Sequence, residues 1–219
     1  MRNLLITLIA LISFVSCEKT QNENQTPPET LKLDKTEVTL YSQDEHKITS
    51  NGRNCTYSTQ DPFIASVNDS GNITALHIGE TFTEVKAEQG SDKVKVTVLP
   101  KYNVIKDPYI KWGCAKDDIK AKLGSPAQEN SANIVYTETL PAHAITGYTF
   151  KSGKLSSVTI ALNPNYQSDA QKHLAERYQY WTTENGAYVF TDSMTNEWNT
   201  YVILEKVDGI WCIIYTPKQ

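Results

Sequence analysis

The chain has 219 residues, long enough for one large hydrophobic core or two modest ones, and its 39% hydrophobic and 21% charged content excludes a wholly disordered protein. The formal net charge is -4 and no basic run occurs, which excludes a protein that tracks phosphates along a nucleic acid.

The first seventeen residues, "MRNLLITLIALISFVSC", carry one positive charge, an apolar run from Leu4 to Val15, and small Ser16 before Cys17. The run is too short to span a bilayer as a helix and has the form of a secretory signal. It resembles a bacterial lipoprotein signal, in which a small residue precedes a cysteine that is lipidated on its thiol and becomes the mature N-terminus. Phe14 departs from that pattern, which usually has Leu there. The resemblance implies lipidation at Cys17, a membrane partner through that lipid, and a cell-envelope location, at the outer membrane and facing the periplasm or the surface. Residues 18–30, "EKTQNENQTPPET", are polar, nearly without apolar side chains, and read as a disordered tether.

From Leu31 the pattern changes to short alternating runs: Val38 and Leu40, Ile48, Tyr57, Ile64 to Val67, Ile73, then Val94, Val96 and Val98. Closely spaced strands without a helical period predict an antiparallel sandwich. "NDSG", Asn68 to Gly71, is a tight turn, and Asp61 before Pro62 is placed to form an Asx turn. "YSTQDPFIASVNDSGNITALHIGE" followed by "KVKVTVLP" resembles the group 2 bacterial immunoglobulin-like domain over Leu31 to Pro100, with Tyr57 where that family usually has Trp. The resemblance implies a spacer, or less often a binder, in a bacterial surface protein. Phe82 and Val85 cannot share one face of a regular strand, so a bulge near Phe82 is expected.

After Pro100 the composition shifts: ten Tyr, four Trp and two Phe fall in residues 101–219. Asp117 and Asp118 favour a helix start, Ile119 and Leu123 make its apolar stripe, and Gly124 with Pro126 stops it. Three strands follow, "ANIVYTETL", "AITGYTFK" and "LSSVTIAL". A second helix is expected from Ser168, with Gln171 completing a capping box and Ala170, Leu174, Tyr178 and Trp181 at helical spacing on its core side. The last strands are "GAYVFTDS", "NTYVILEK" and "IWCIIYTP". The order αβββαβββ predicts an α+β domain with helices on an antiparallel sheet. The start "GCAKDDIK" followed by "LGSP" resembles small repeat domains of bacterial envelope lipoproteins and of the beta-lactamase-inhibitor-protein fold, which implies a structural or inhibitory partner-binding role.

With Cys17 lipidated, Cys55, Cys114 and Cys212 remain, and the last two are candidates for a disulfide joining the ends of the second domain. Cys55 reads as a small inward hydrophobe. No phosphate-binding glycine loop, nucleophile elbow or paired zinc-binding histidines occur, and no cofactor, metal or catalytic residue is assigned. His46, His77, His143 and His173 are scattered. His173 with Glu176 reads as a solvated helix face, and a distant His-paired nucleophile of a hydrolase remains open.

The positive signal is the aromatic excess. Flat aromatic faces cover sugar C–H surfaces, so Trp198, Tyr201, Tyr188 and Trp211 are the candidate ligand-binding residues. The reading is a non-catalytic, lipid-anchored envelope protein. Its all-β domain at 31–100 holds the α+β domain at 101–219 toward a glycan or protein ligand.

Overall fold

The computed structural model describes residues 29–218, so the signal segment, Cys17 and the tether through Pro28 lie outside the described residues. Seven strands come first: β1 (Glu37–Tyr41), β2 (Glu45–Lys47), β3 (Thr56–Thr59), β4 (Ala65–Val67), β5 (Asn72–Ala75), β6 (Gly79–Ala87) and β7 (Gly90–Leu99). They form two sheets, β1-β7-β6-β3 and β2-β5-β4, with β1 parallel to β7 and the other pairs antiparallel. Period-two alternation turns Val94, Val96 and Val98 inward against Val38, Ile73 and Val85, all buried.

The turn chemistry matches its residues. Asn68 Oδ1 accepts the backbone N–H groups of Ser70 and Asn72, each at 3.0 Å, and Asp61 Oδ1 accepts that of Phe63 at 3.0 Å. Gly71 has φ 78°, and a Cβ there would meet Tyr57 Cζ at 2.6 Å. The bulge expected near Phe82 does not form, because β6 pairs with β7 without a register shift from Gly79 to Ala87. Thr81, Thr83 and Val85 take the inward face instead, and Phe82 points out to solvent.

The second group contains α1 (Lys116–Leu123), β8 (Gln128–Glu129), β9 (Asn133–Thr137), β10 (His143–Lys151), β11 (Lys154–Leu162), α2 (Gln167–Ala175), β12 (Gln179–Glu184), β13 (Ala187–Thr191), β14 (Thr200–Val207) and β15 (Ile210–Pro217). All eight strands join one antiparallel sheet in the order β12-β13-β14-β15-β11-β10-β9-β8. Both helices lie on one face of it: Ile119 from α1 and Ala170 and Leu174 from α2 are buried with Tyr148, Val158, Ile160, Val202, Leu204, Ile213 and Tyr215.

Two sequence expectations change. The second helix ends at Ala175 rather than reaching Trp181, and Tyr166, not Ser168, is its N-cap, with no side-chain cap. Residues 179–184 pair with β13 through the Asn185–Gly186 turn, so cross-strand hydrogen bonds replace the helical ones the apolar spacing suggested. The sandwich core and the sheet-and-helix core share no residue, yet from Leu31 onward the chain forms one compact unit.

Candidate functional site

The register of the eight-stranded sheet sorts its side chains into two faces. One is covered by the helices. The other carries Val189, Ile203, Ile214, Thr159, Gly147 and Val135, directly opposite one another across β13, β14, β15, β11, β10 and β9. Ile145 stands beside this row and is 44% exposed. None of these apolar residues belongs to either core, and those of the row are half-buried. Their row contains no charge and is largely β-branched, and Glu205 and Glu184 stand in the next row of the same face.

At the β12–β14 end of this face lies an aromatic corner. Between Tyr180 and Thr182 the register of β12 slips by one residue, and the extra residue is Trp181. Such a bulge re-aims a side chain. Trp181 is 49% exposed, and its ring meets that of Trp198 edge-on at 4.7 Å. Trp198 in turn meets Tyr201 at 5.6 Å, and Lys218 Nζ stands 4.4 Å over the Trp198 ring. The lysine is itself fixed by donating to the Asn196 carbonyl at 2.6 Å. Asp192 Oδ1 accepts the N–H groups of Asn199 and Thr200, which shapes the loop carrying Trp198. The corner thus offers one exposed indole face held rigid from behind. Ser193, Thr195 and Asn196 of the same loop supply polar groups nearby.

The four aromatic residues singled out from the sequence fall in different places. Tyr201 belongs to the open face, half-buried. Trp198 lies before β14 rather than on a strand and is buried, so it backs the platform instead of being it. Tyr188 and Trp211 sit on the helix-covered side, opposite Leu204 and Lys206, packed against the core. Trp181, read from the sequence as a core residue of a helix, is the exposed one. Its signal was the Asn-Gly pair at 185–186, which marks a hairpin and hence a strand before it.

Cys114 and Cys212 are free thiols, as is Cys55. The Cys114 carbonyl accepts the N–H of Leu155 near the start of β11, whereas Cys212 lies opposite Ala161 near its end. At ~3.3 Å per residue the two are separated by roughly 20 Å, far beyond disulfide reach. Burial raises both thiol pKa values.

His173 and Glu176, expected on a solvated helix face, are both buried. Glu176 Oε1 and Oε2 accept the backbone N–H groups of Lys101 and Tyr102, each at 2.9 Å, and its carbonyl accepts the N–H of Ile78 at 2.8 Å. His173 meets the Tyr102 carbonyl and Asp107, and Arg177 binds Asp107 through both carboxylate oxygens. Burial alone raises the Asp107 carboxyl, but the His173 hydrogen bond and the Arg177 charge outweigh it and hold it below the usual carboxylate range. These groups fasten the linker after β7 to the end of α2.

A cavity of about 250 Å³ on the helix side is walled by Tyr109, Tyr136 and Tyr148, with Asp107 and Glu138 at its edge. Both carboxylates are engaged, Asp107 by His173 and Arg177 and Glu138 by Lys106 at 2.9 Å. Burial pushes the Tyr148 hydroxyl up to about 12, so it stays protonated at neutral pH. The cavity therefore lacks a free acid–base pair. Among the described residues, no group of three or more His, Cys, Asp or Glu side chains is arranged to hold a metal ion.

No family model matches the chain, and none of the curated proteins matches it. Among solved structures it is similar to domains 4–9 of the surface layer protein SbsC, at 14% identity and a TM-score of 0.29, covering 87% of this chain and 27% of that one. Domains 5–6 of the same protein give 14% identity and 0.28, covering 87% and 84%. Human protocadherin-24 EC1-2 gives 12% identity and 0.28, covering 87% and 96%. The chain spans about a quarter of the length of the first of these. At such TM-scores the likeness carries no argument about function.

Proposed function

We propose that this protein is a cell-envelope lipoprotein, anchored through Cys17, that binds an extracellular glycan at the aromatic corner of its second domain. In this reading residues 31–100 are a group 2 bacterial immunoglobulin-like spacer and residues 101–219 a non-catalytic α+β binding domain. The observation that supports it most is the half-exposed Trp181 indole, presented by a bulge and braced by Trp198. An indole face held rigid in advance loses little conformational entropy when a sugar ring stacks on it. The clamp from Glu176 to the linker favours a stiff stalk, which would keep that face at a fixed angle to its spacer.

The test is a glycan array probed with the full chain and with Trp181→Ala. A glycan class bound by the natural chain and lost by a folded Trp181→Ala variant supports the reading, and silence across the array counts against it. A second reading, a structural or inhibitory role toward a protein, is favoured by a different observation: the apolar row of Val189, Ile203 and Ile214 on the sheet face away from the helices.

A further inference from the structure

We infer that the glycan taken by the aromatic corner is an acidic polysaccharide, laid across the strands along a row of unpaired hydroxyl and amide groups and held at its side by lysines. The inference rests on the glycan-binding reading above, and it names the class of glycan and its path.

The path comes from the register. On the sheet face away from the helices, the row that adjoins the corner runs through Tyr201, Thr216, Ser157, Thr149 and Asn133, on β14, β15, β11, β10 and β9. Ser157 stands one place before the Val158–Tyr215 pair, which brings it opposite Thr216. None of the five is charged; Thr149 is exposed and the others are half-buried. Among the described residues, none of their side-chain hydroxyl or amide groups has a hydrogen-bond partner. Tyr201 joins the row to the corner, since its ring meets Trp198 and Trp198 meets Trp181. From β12, which carries Trp181, to β9 the row crosses six strand spacings, about 29 Å at ~4.8 Å each. That is room for several sugar rings end to end, one stacked on the indole and the rest hydrogen-bonded to the row.

The charge comes from the lysines along one side of this row. Lys151 and Lys154 flank the two-residue turn Ser152–Gly153 and stand directly opposite each other. By alternation from buried Phe150 and Leu155, both fall on the face away from the helices. Like charges in that relation repel and weaken a sheet. Nothing in the fold offsets this, because none of the ion pairs among the described residues involves Lys151, Lys154 or Lys218. Lys218 lies two residues beyond Thr216 on the same side of the row, its Nζ held over the Trp198 ring.

At ~3.4 Å per residue, Lys151 and Lys218 begin about 7 Å from the row, whereas Glu205 stands beyond Ile203 on the other side, at about 14 Å, with Glu184 alongside it. The corner loop adds Glu197, and Asp192, whose Oδ1 already accepts two backbone N–H groups. The face is thus basic on the side next to the hydroxyl row and acidic on the far side. Such a field draws a polyanion to the row and keeps it off the apolar residues. Lysine meets carboxylate and sulfate alike as a point charge, and the test separates the two.

The test is affinity electrophoresis of the full chain in mild detergent, through gels holding polymers matched in backbone: polygalacturonate against its methyl ester, and dextran sulfate against dextran. A charged member is expected to retard the chain and its uncharged match is not. Retardation by polygalacturonate assigns carboxylate as the group read, and retardation by dextran sulfate alone assigns sulfate. The effect is expected to vanish in Trp181→Ala, and in about 1 M salt, where screening acts within ~3 Å. Lys151→Gln with Lys154→Gln removes two exposed side chains and is expected to raise Kd roughly tenfold, as two modest exposed ion pairs would. The same variant is expected to melt no lower than the natural chain, since a repulsive pair is gone. Equal retardation by charged and uncharged polymers, or retardation by charged ones that survives the lysine variant, overturns the proposal while leaving glycan binding in place. Retardation that survives Trp181→Ala overturns the path. Retardation by none of the four polymers overturns the proposal, and the wider glycan reading then stands or falls separately on the array.

Discussion

Glu176 binds the backbone of Lys101, its carboxylate Oε1 accepting that residue's N–H at 2.9 Å while Oε2 takes the next N–H along, from Tyr102. A buried carboxylate with both oxygens on backbone donors is a strong clamp, since charged acceptors form shorter and stronger hydrogen bonds. It holds the point at which the chain leaves β7, and the Glu176 carbonyl holds Ile78 of the sandwich as well. Glu176→Ala leaves two backbone donors unpaired, each worth about 1–3 kcal/mol when buried. We expect calorimetry to show a single unfolding transition for the natural chain. In the variant, the sandwich and the sheet-and-helix part should melt separately.

The sandwich strands, both helices as elements, and the turns at Asn68–Gly71 and Asp61 were legible in the sequence because each depends on neighbours within a few positions. The β12 strand was not, because Tyr178 and Trp181 fall at helical spacing from Leu174 and the deciding cue, Asn185–Gly186, lies outside that window. Glu176 was misplaced for a related reason: its partners Lys101 and Tyr102 are some seventy-five residues away. The open face was hidden until the register of all eight strands was known, since alternation alone does not say which face the helices cover.

The two tryptophans of the corner should separate by phenotype. Trp181→Ala removes an exposed ring and is expected to change the melting temperature by little while abolishing glycan binding. Trp198 is buried against Trp181, Tyr201 and Lys218, so Trp198→Ala is expected to cost about 3–5 kcal/mol, the usual loss for a large core aromatic. Urea unfolding of both variants measures the difference. Equal destabilisation by the two would show that Trp181 is a packing residue.

Gly71 sits at φ 78° with the Tyr57 ring 2.6 Å from where a Cβ would stand. Gly71→Ala therefore meets both a left-handed backbone and a clash with a ring, terms of about 1–2 and 1–3 kcal/mol. The double variant Gly71→Ala with Tyr57→Leu should recover part of the loss, and denaturant midpoints would reveal it. No recovery would mean that the backbone alone requires glycine.

The cysteines offer a direct check on the chain's geometry. Cys114 and Cys212 are unbridged and roughly 20 Å apart along β11. Denaturing the protein without reductant and alkylating it should label both, each adding one adduct by mass spectrometry. In the folded state both should react slowly, because burial raises their pKa values and little thiolate forms at neutral pH. Loss of the two labels as a pair would require a bridge incompatible with this sheet.

His143 and His77 set the response to mild acid. Burial lowers both pKa values below the ordinary 6.5, at His77 against opposing backbone hydrogen bonds at Phe63 and Tyr178, and neither His143 ring nitrogen has a partner. A lowered histidine pKa means that below about pH 6.5 the unfolded chain binds protons the folded chain refuses. Stability is therefore full above that pH and falls as pH drops toward the folded values. The lowered carboxyls of Asp44 and Asp107 act in a separate and more acidic window, contributing stability that is lost only as they protonate. His143→Leu keeps the site filled, removes two unpartnered polar atoms and deletes one of the two titrations. We expect the drop in melting temperature between about pH 8 and about pH 5.5 to shrink in this variant relative to the natural chain. An unchanged drop would mean that His143 finds water or a partner on protonation, and that His77 carries the acid sensitivity alone.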